Sequence, residues 1–302
     1  MVKVISITGA GRSGSTILDN VLGGIPGAFS GGELRYIWQR GLIEKRLCGC
    51  SRPLPDCELW PRILERAFPD GIDPAATVCL THYVRTRFTP AARIGALHGW
   101  YNRKLQPLVS ILDSLYPAIA EQTGARFIVD SSKLPTYTYL LSRVPSIDLR
   151  IVHLIRDPRA VAHSWARPKQ QLDTEVARAM TRIGSVRSAL DWVVWNTTIR
   201  SLFAGASGGY LQLRYEDLIT SPETAVRRIL DMADAGDAAT PHLQGNAVEL
   251  AGNHTVSGNP GRFKTGTIQL ALDEAWRRDM PATKRKLVEG ITAPVRKSFG
   301  YP

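Results

Sequence analysis

Small and hydroxylated residues near the amino terminus have a spacing that is suited to phosphate binding. Gly9, Gly14 and Thr16 nearly match the pattern G-x-x-x-x-G-K-[ST] of a phosphate-binding loop. Ser15 stands at the lysine position, and Arg12 inside the loop supplies a cation instead. Because that lysine neutralises the β- and γ-phosphates of a nucleoside triphosphate, its absence argues against triphosphate hydrolysis. The loop favours a nucleotide that carries a less charged transferable group.

The elements on either side of this loop indicate how it would hold an anion. Val2–Thr8 is an apolar, β-branched run that predicts a buried strand, and 17–22 is suited to a helix. A glycine-rich turn between a strand and a helix directs backbone N–H groups and the positive end of the helix dipole at one point. An ordinary strand-to-helix turn is the alternative interpretation.

A second basic residue follows a strong strand signal in the middle of the chain. The run 149–155 predicts a strand that ends at Arg156, and Asp157 and Pro158 are suited to beginning a helix. Arg156 offers a planar, two-pronged donor for a phosphate, and Ser164, two turns along the helix, can reach the same group. The alternative is a junction at which Arg156 pairs with a carboxylate.

Two further polar side chains follow predicted strands, where open α/β sheets place their ligands. Glu33 comes just after the short strand predicted at 28–30, and Lys133 follows the strand predicted at 126–130. Glu33 is the candidate general base, with a dipole-favoured helix-terminal Glu as the alternative. Lys133 is the candidate for stabilising developing charge, with a surface lysine in a turn as the alternative.

The motifs together resemble the sulfotransferases that use 3′-phosphoadenosine 5′-phosphosulfate (PAPS). The segment Gly11, Arg12, Ser13, Gly14, Ser15, Thr16 resembles their 5′-phosphosulfate-binding loop, and the segment from Arg156 to Ser164 resembles their 3′-phosphate-binding segment. The pair Gly32-Glu33 is similar to the Gly-Glu pattern that carries the base of tyrosylprotein sulfotransferases. The resemblance implies that Glu33 takes the acceptor proton while Lys133 and Arg12 neutralise charge on the departing phosphate.

A third motif lies in the turn-rich stretch 254–263. It resembles the loop that closes over the adenosine and 3′-phosphate in the bacterial and carbohydrate-type branch of the family. The resemblance makes Arg262 a phosphate ligand and Asn259 a positioning residue, and a plain surface loop is the alternative. It implies PAPS as co-substrate, its 3′,5′-bisphosphate product (PAP), a hydroxyl-bearing acceptor and no metal in the reaction.

Alternation of strands and helices predicts an α/β fold over 1–302, with a P-loop-like central parallel sheet flanked by helices in a single domain. The remaining signals predict helices at 59–68, 103–123 and 174–204 and a strand at 210–215. Trp192 and Trp195 are expected in the core. His82 and His98 lie in the region that covers the site, and either becomes the base if Glu33 is not.

The basic surplus keeps other functions open. Lysine and arginine give a formal net charge of +11, which favours an anionic partner, but no nucleic-acid-binding motif is present. A P-loop phosphotransferase with Asp130 at a magnesium ion is one alternative, and a nucleotide- or nucleic-acid-binding module is another. The acceptor (small metabolite, glycan or lipid) and the oligomeric state, including a homodimer, stay open.

Three of the four cysteines, Cys48, Cys50 and Cys57, lie close together. Their C-x-C-x6-C spacing fits no common zinc signature, and no histidine lies within it. Free thiols are expected there, with a disulfide second and a metal third. The amino terminus shows no secretory signal and no apolar run is long enough to span a bilayer, so we expect a cytoplasmic protein without a transmembrane segment.

Overall fold

Five parallel strands form the central sheet, in the order Ala28–Gly32, Phe127–Lys133, Val2–Thr8, Ile147–Ile155 and Tyr210–Arg214. The computed structural model describes residues 1–174, 178–205 and 209–302. The strands are β1 (Val2–Thr8), β2 (Ala28–Gly32), β3 (Phe127–Lys133), β4 (Ile147–Ile155), β5 (Gln170–Gln171), β6 (Arg178–Ala179), β7 (Tyr210–Arg214), β8 (Leu243–Gln244), β9 (Ala247–Leu250) and β10 (Gly266–Gln269). The parallel sheet confirms the predicted fold class.

Helices lie on both faces of this sheet. They are α1 (Ser15–Gly23), α2 (Trp60–Ala67), α3 (Pro74–Leu80), α4 (Thr89–Arg93), α5 (Gly95–Thr123), α6 (Pro135–Leu141), α7 (Pro158–Ala166), α8 (Ser185–Phe203), α9 (Tyr215–Thr220), α10 (Pro222–Met232), α11 (Ala275–Asp279) and α12 (Ala282–Arg296). Within the described residues, no helix is both long enough and apolar enough to cross a membrane.

The two faces of β1 belong to two different hydrophobic cores, as the alternation of side chains along a strand requires. Val4 packs in the core that contains the apolar face of α5, whereas Ile5 and Ile7 pack in the core that contains α1 and α10. Several of the buried polar residues, among them Asp130, Ser132 and Arg156, lie at or just past the carboxyl ends of the strands. These ends carry the predicted site residues.

Two helix predictions need correction. The helix predicted at 103–123 begins earlier, at Gly95, and continues through Pro107 and Pro117 because its apolar face is buried against the sheet. The helix predicted at 174–204 is only Ser185–Phe203, and Gly184, which precedes its first turn, is extended with a ψ of 156°. Upstream, Arg178–Ala179 pairs as a strand with Gln170–Gln171, and residues 175–177 lie outside the described part of the chain.

Candidate active site

The loop between β1 and α1 contains residues in the left-handed region of backbone conformation. Gly14 has a φ of 90° and precedes the first turn of α1, and Arg12 has a φ of 69°. A Cβ atom added to Gly14 would lie 2.4 Å from Cδ2 of Tyr215. Gly14 is therefore required both by its conformation and by the close approach of α9.

This loop presents donors that the rest of the protein leaves free. Its ends are fixed, because the Gly9 amide donates to the Lys133 carbonyl at 3.1 Å and the Ile17 amide donates to the Gly14 carbonyl at 3.0 Å. Between those ends, the amides of residues 11–16 donate to no acceptor within the described residues. The Ser13 hydroxyl is also buried without a partner. Such a cradle, at the positive end of α1, is suited to an anion.

Arg156 lies against this cradle, as the sequence predicts for two ends of one ligand site. Its Nη1 donates to the Arg12 carbonyl at 3.3 Å, and its guanidinium lies 4.3 Å from the centre of the Tyr215 ring. The Arg12 guanidinium lies 4.6 Å from the centre of the Trp165 ring, one residue after the buried Ser164. Asp157 caps α7 as predicted, since its carboxylate accepts from the Arg159 amide at 2.8 Å.

Lys169 and Arg167 also lie near Arg156, and the sequence did not predict either of them as a site residue. Burial and the nearby charges of Arg12, Arg167 and Arg156 lower the pKa of Lys169. Such mutual repulsion between side chains of like charge costs stability unless an anion offsets it. The sequence signal is the basic run Arg167-Pro168-Lys169 just after α7, which becomes meaningful only when the end of the helix is placed.

The carboxylate of Asp273 partly offsets the positive charge of these side chains. Oδ2 of Asp273 lies 3.3 Å from Nη2 of Arg156 and 3.9 Å from Nη1 of Arg167. Burial opposes the ionisation of Asp273, but the Ala275 amide and the two arginines outweigh it and lower its pKa. Asp273 therefore accepts from the arginine that the sequence assigns to a phosphate. The alternative expected for Arg156, a partner carboxylate, is present as well.

Glu33 and Lys133 form a buried ion pair at the ends of adjacent strands β2 and β3. Nζ of Lys133 donates to Oε1 of Glu33 at 2.7 Å, and Glu33 is only 8% exposed. Burial opposes the ionisation of Glu33, but the charges of Lys133, Arg35 and Arg40 outweigh it and lower its pKa. The carboxylate is therefore ionised and able to accept a proton, and its basicity depends on where Lys133 points.

The backbone of Lys133 ties this pair to the glycine-rich loop. Lys133 has a φ of 67°, a conformation that costs free energy for a residue with a side chain. Its carbonyl accepts from the Thr8 hydroxyl at 2.7 Å and from the Gly9 amide. The strained turn therefore places the Lys133 carbonyl at the start of the loop, while the Lys133 side chain extends to Glu33.

The stretch 254–263 is an ordered loop, as predicted, and it packs beside α1. The Asn259 amide donates to Oγ1 of Thr16 at 3.4 Å, and the Asn259 side chain accepts from the Gly261 amide. Arg262 is 1% exposed and donates to the Thr255 carbonyl at 2.6 Å and to the Leu47 carbonyl at 2.5 Å. Its guanidinium thus holds the loop together, and its contact with a phosphate stays a prediction.

The residues proposed for the alternative chemistries lie elsewhere or are engaged. Asp130 is fully buried, and its carboxylate accepts from the Tyr116 hydroxyl at 2.5 Å and from the Ser132 amide at 2.8 Å. Its environment is therefore not that of an open magnesium ligand. His82 packs against the rings of Tyr83 and Phe88, and the His98 ring contacts the Ala92 carbonyl. No described contact brings either histidine to Glu33.

Comparisons with known proteins identify the family to which this chain is similar. A family model described as "Sulfotransferase family" matches residues 5–236. Carbohydrate sulfotransferase 5 of Mus musculus is 30% identical over 54% of this chain, and carbohydrate sulfotransferase 6 of Homo sapiens is 26% identical over 87% of it. The matched regions span 44% and 62% of those two relatives, respectively, so the chain corresponds to part of their length.

A solved structure has the same fold along the whole chain. The sulfotransferase domain from the curacin biosynthetic pathway superimposes with a TM-score of 0.53 at 17% identity. The alignment covers 100% of this chain and 99% of that domain. The similarity of fold therefore extends past residue 236.

Proposed function

Because this chain belongs to the sulfotransferase family, we propose that it transfers a sulfuryl group from PAPS to a hydroxyl group of an acceptor. The observation that carries this proposal is the convergence of three features at one edge of the sheet. They are a lysine-less loop with free amides, a cluster of cations around Arg156, and the buried pair of Glu33 and Lys133. Together they provide an anion site next to a general base.

We assign the two ends of the nucleotide to two groups of residues. The amides of 11–16, the Ser13 and Thr16 hydroxyls and the Arg12 guanidinium would hold the 5′-phosphosulfate. Arg156 and Ser164 would hold the 3′-phosphate, and Asp273 must then release Arg156. Asn259 would position the adenosine side through its contact with Thr16. Arg262 would shape that loop from inside.

The chemical step follows from the position of the ion pair. Glu33 takes the proton of the acceptor hydroxyl while the acceptor oxygen attacks sulfur in line. An S–O bond to the acceptor forms, and the S–O bond to the 5′-phosphate breaks. Lys133 and Arg12 offset the charge that develops on the departing phosphate. When Lys133 turns toward that phosphate, Glu33 loses its nearest cation and its pKa rises, which makes it a better base at the moment of transfer.

The acceptor is assigned only by class. We propose a hydroxyl of a small metabolite, a glycan or a lipid, and the names of the matched carbohydrate sulfotransferases make glycans the first class to test. We also propose that residues 1–302 act as one domain, since the Tyr301 hydroxyl near the carboxyl terminus donates to the Ile155 carbonyl at the end of β4. The cytoplasmic location stays a prediction.

The test is turnover with PAPS and a panel of hydroxyl-bearing acceptors, with formation of PAP as the readout. We expect acceptor-dependent release of PAP that needs no magnesium ion. Consumption of ATP with magnesium, with no reaction of PAPS for any acceptor, would contradict the proposal and favour the phosphotransferase alternative. Binding of DNA or RNA that falls steeply with salt, with no selectivity for PAP, would instead favour the nucleic-acid-binding alternative.

A further inference from the structure

Three thiols and one imidazole meet at the start of the loop at 254–263. Cys48, Cys50 and Cys57 come from one loop, and His254 comes from a segment about two hundred residues later in the chain. One ligand atom of each residue lies within 4.8 Å of every other. The missing histidine of the sequence cluster is therefore supplied by the fold.

Three of the six distances among these four atoms are close to those of a tetrahedral metal site. Zinc bound at about 2.3 Å from sulfur and about 2.0–2.1 Å from nitrogen sets sulfur atoms about 3.8 Å apart and sulfur and nitrogen about 3.6 Å apart. Sγ of Cys50 and Sγ of Cys57 are 3.7 Å apart. Nδ1 of His254 lies 3.8 Å from Sγ of Cys48 and 3.2 Å from Sγ of Cys57. We propose that these four side chains bind one zinc ion.

The surroundings of the cluster are those of a structural site. Cys48 and Cys57 are buried, and the Leu59 amide donates to Sγ of Cys57 at 3.5 Å. On the other side of the imidazole, Oε1 of Glu58 lies 3.8 Å from Nε2 of His254. A carboxylate at the second nitrogen orients a metal-bound imidazole and fixes its tautomer. Four protein ligands leave no open position for a substrate, so the proposed ion has no part in the reaction.

The geometry favours zinc over a disulfide. A disulfide needs sulfur atoms about 2.0 Å apart, much closer than the 3.7 Å between Cys50 and Cys57. It would also leave Cys48 and His254 facing it without a function. Three thiolates and one imidazole are a common structural zinc set. Binding would release the three thiol protons to solvent, and no oxidant is needed.

The proposed ion would fasten two loops that already touch. The Gly49 amide donates to the Thr255 carbonyl at 2.9 Å, and Nε1 of Trp60 donates to the His254 carbonyl at 2.8 Å. A Cβ atom on Gly49 would lie 1.9 Å from Oδ1 of Asn253, so only glycine permits this approach. The fastened loop continues to Ser257, whose carbonyl accepts from the Glu33 amide at 3.4 Å. Zinc would thus stabilise the part of the loop that contacts Glu33, the candidate base.

The test is metal analysis of the full-length protein, purified under reducing conditions without chelators. We expect about one zinc ion per chain by mass spectrometry. Replacement of the zinc by Co²⁺ should give the intense visible bands of a tetrahedral site and thiolate-to-metal charge transfer in the near ultraviolet. Cys57→Ser and His254→Ala should lose the metal, whereas Cys79→Ser, which removes the exposed thiol outside the cluster, should retain it.

Three results would overturn the proposal. They are wild-type protein that takes up neither Zn²⁺ nor Co²⁺, a Cys50–Cys57 disulfide in reduced and freshly purified protein, and a His254→Ala variant with the wild-type cobalt spectrum. Wild-type protein alone decides the first two, so the test stands even if the variants fold poorly. Because none of these readouts needs turnover, a failed zinc site and a failed sulfuryl transfer are distinguishable.

Discussion

Two loops meet at the start of α1, and they use their polar groups in opposite ways. Within the described residues, the amides of the loop at 11–16 donate to no acceptor, although its Arg12 carbonyl accepts from Arg156. The loop at 254–263 uses its groups inside the protein, with the Arg262 guanidinium bound to two carbonyl oxygens and close to the carboxylate of Asp173. Free buried donors are costly unless a ligand pairs with them, so the first loop is suited to binding and the second to positioning.

The most sensitive test of this contrast is the base that lies between the loops. A positioned base contributes about 10²–10⁴-fold, so Glu33→Gln should lower turnover by that factor. Affinity for PAP should stay close to that of the wild type, because the 11–16 amides are unchanged. Steady-state kinetics and calorimetry measure the two effects, and Glu65→Gln on the exposed face of α2 is the control. Unchanged turnover would reject Glu33 as the base.

A substitution inside the loop at 254–263 should lower the free energy of unfolding. Arg262→Met removes a guanidinium that is 1% exposed and leaves Asp173 buried without this partner. Breaking such a pair costs about 3–5 kcal/mol in the free energy of unfolding. Chemical denaturation measures this loss, and Arg66→Met, at an exposed pair with Glu121, should change the free energy of unfolding far less. A small loss at Arg262 together with a large loss of PAP affinity would make Arg262 a ligand instead.

Loss of the arginine beside the 11–16 loop should lower the affinity for nucleotide. Arg156→Ala removes hydrogen bonds to a charged ligand that are worth about 1.5–3 kcal/mol, so PAP should bind about 10- to 150-fold more weakly. Adenosine 5′-phosphate, which lacks the 3′-phosphate, should lose far less. Calorimetry with both nucleotides separates the two cases, and Arg187→Ala on the surface of α8 is the control. Equal losses for both nucleotides would place Arg156 away from the 3′-phosphate.

The smallest effect concerns a buried carboxyl group below the binding loop. Burial, aided by the nearby Asp130, raises the pKa of Asp19 to about 7. Between about pH 4 and pH 7 the folded protein holds a proton that the unfolded chain releases, so stability falls as pH rises through that window. The melting temperature, measured from pH 4 to pH 7, should therefore fall less in Asp19→Asn than in the wild type. Asp70→Asn, on the surface, should fall as much as the wild type. An identical pH profile for Asp19→Asn would contradict the assignment.

The strand, turn and helix around residues 9–16 were predictable from the sequence because their determinants are local, and the loop's role in binding stays a prediction. Strand, glycines and helix follow one another within 2–23, and the parallel order of the sheet brings Arg156 and Lys133 to the same edge. The helix predicted at 174–204 forms only from Ser185 to Phe203, because Arg178–Ala179, inside the predicted range, pairs with Gln170–Gln171 as a strand. The contact between Cys48 and His254, 206 residues apart, was not predictable, since nothing local to the cysteines indicates a histidine.

The central claim is that the free amides near α1 and the cations around Arg156 bind one adenosine that carries phosphates on both its 5′ and 3′ oxygens. Calorimetry of the wild-type protein with PAP, adenosine 5′-phosphate and adenosine 3′-phosphate tests it most directly. The account predicts that PAP binds at least about tenfold more tightly than either monophosphate, because each phosphate gains charged hydrogen bonds worth more than 1.4 kcal/mol. Equal affinities for PAP and one of the monophosphates would contradict it.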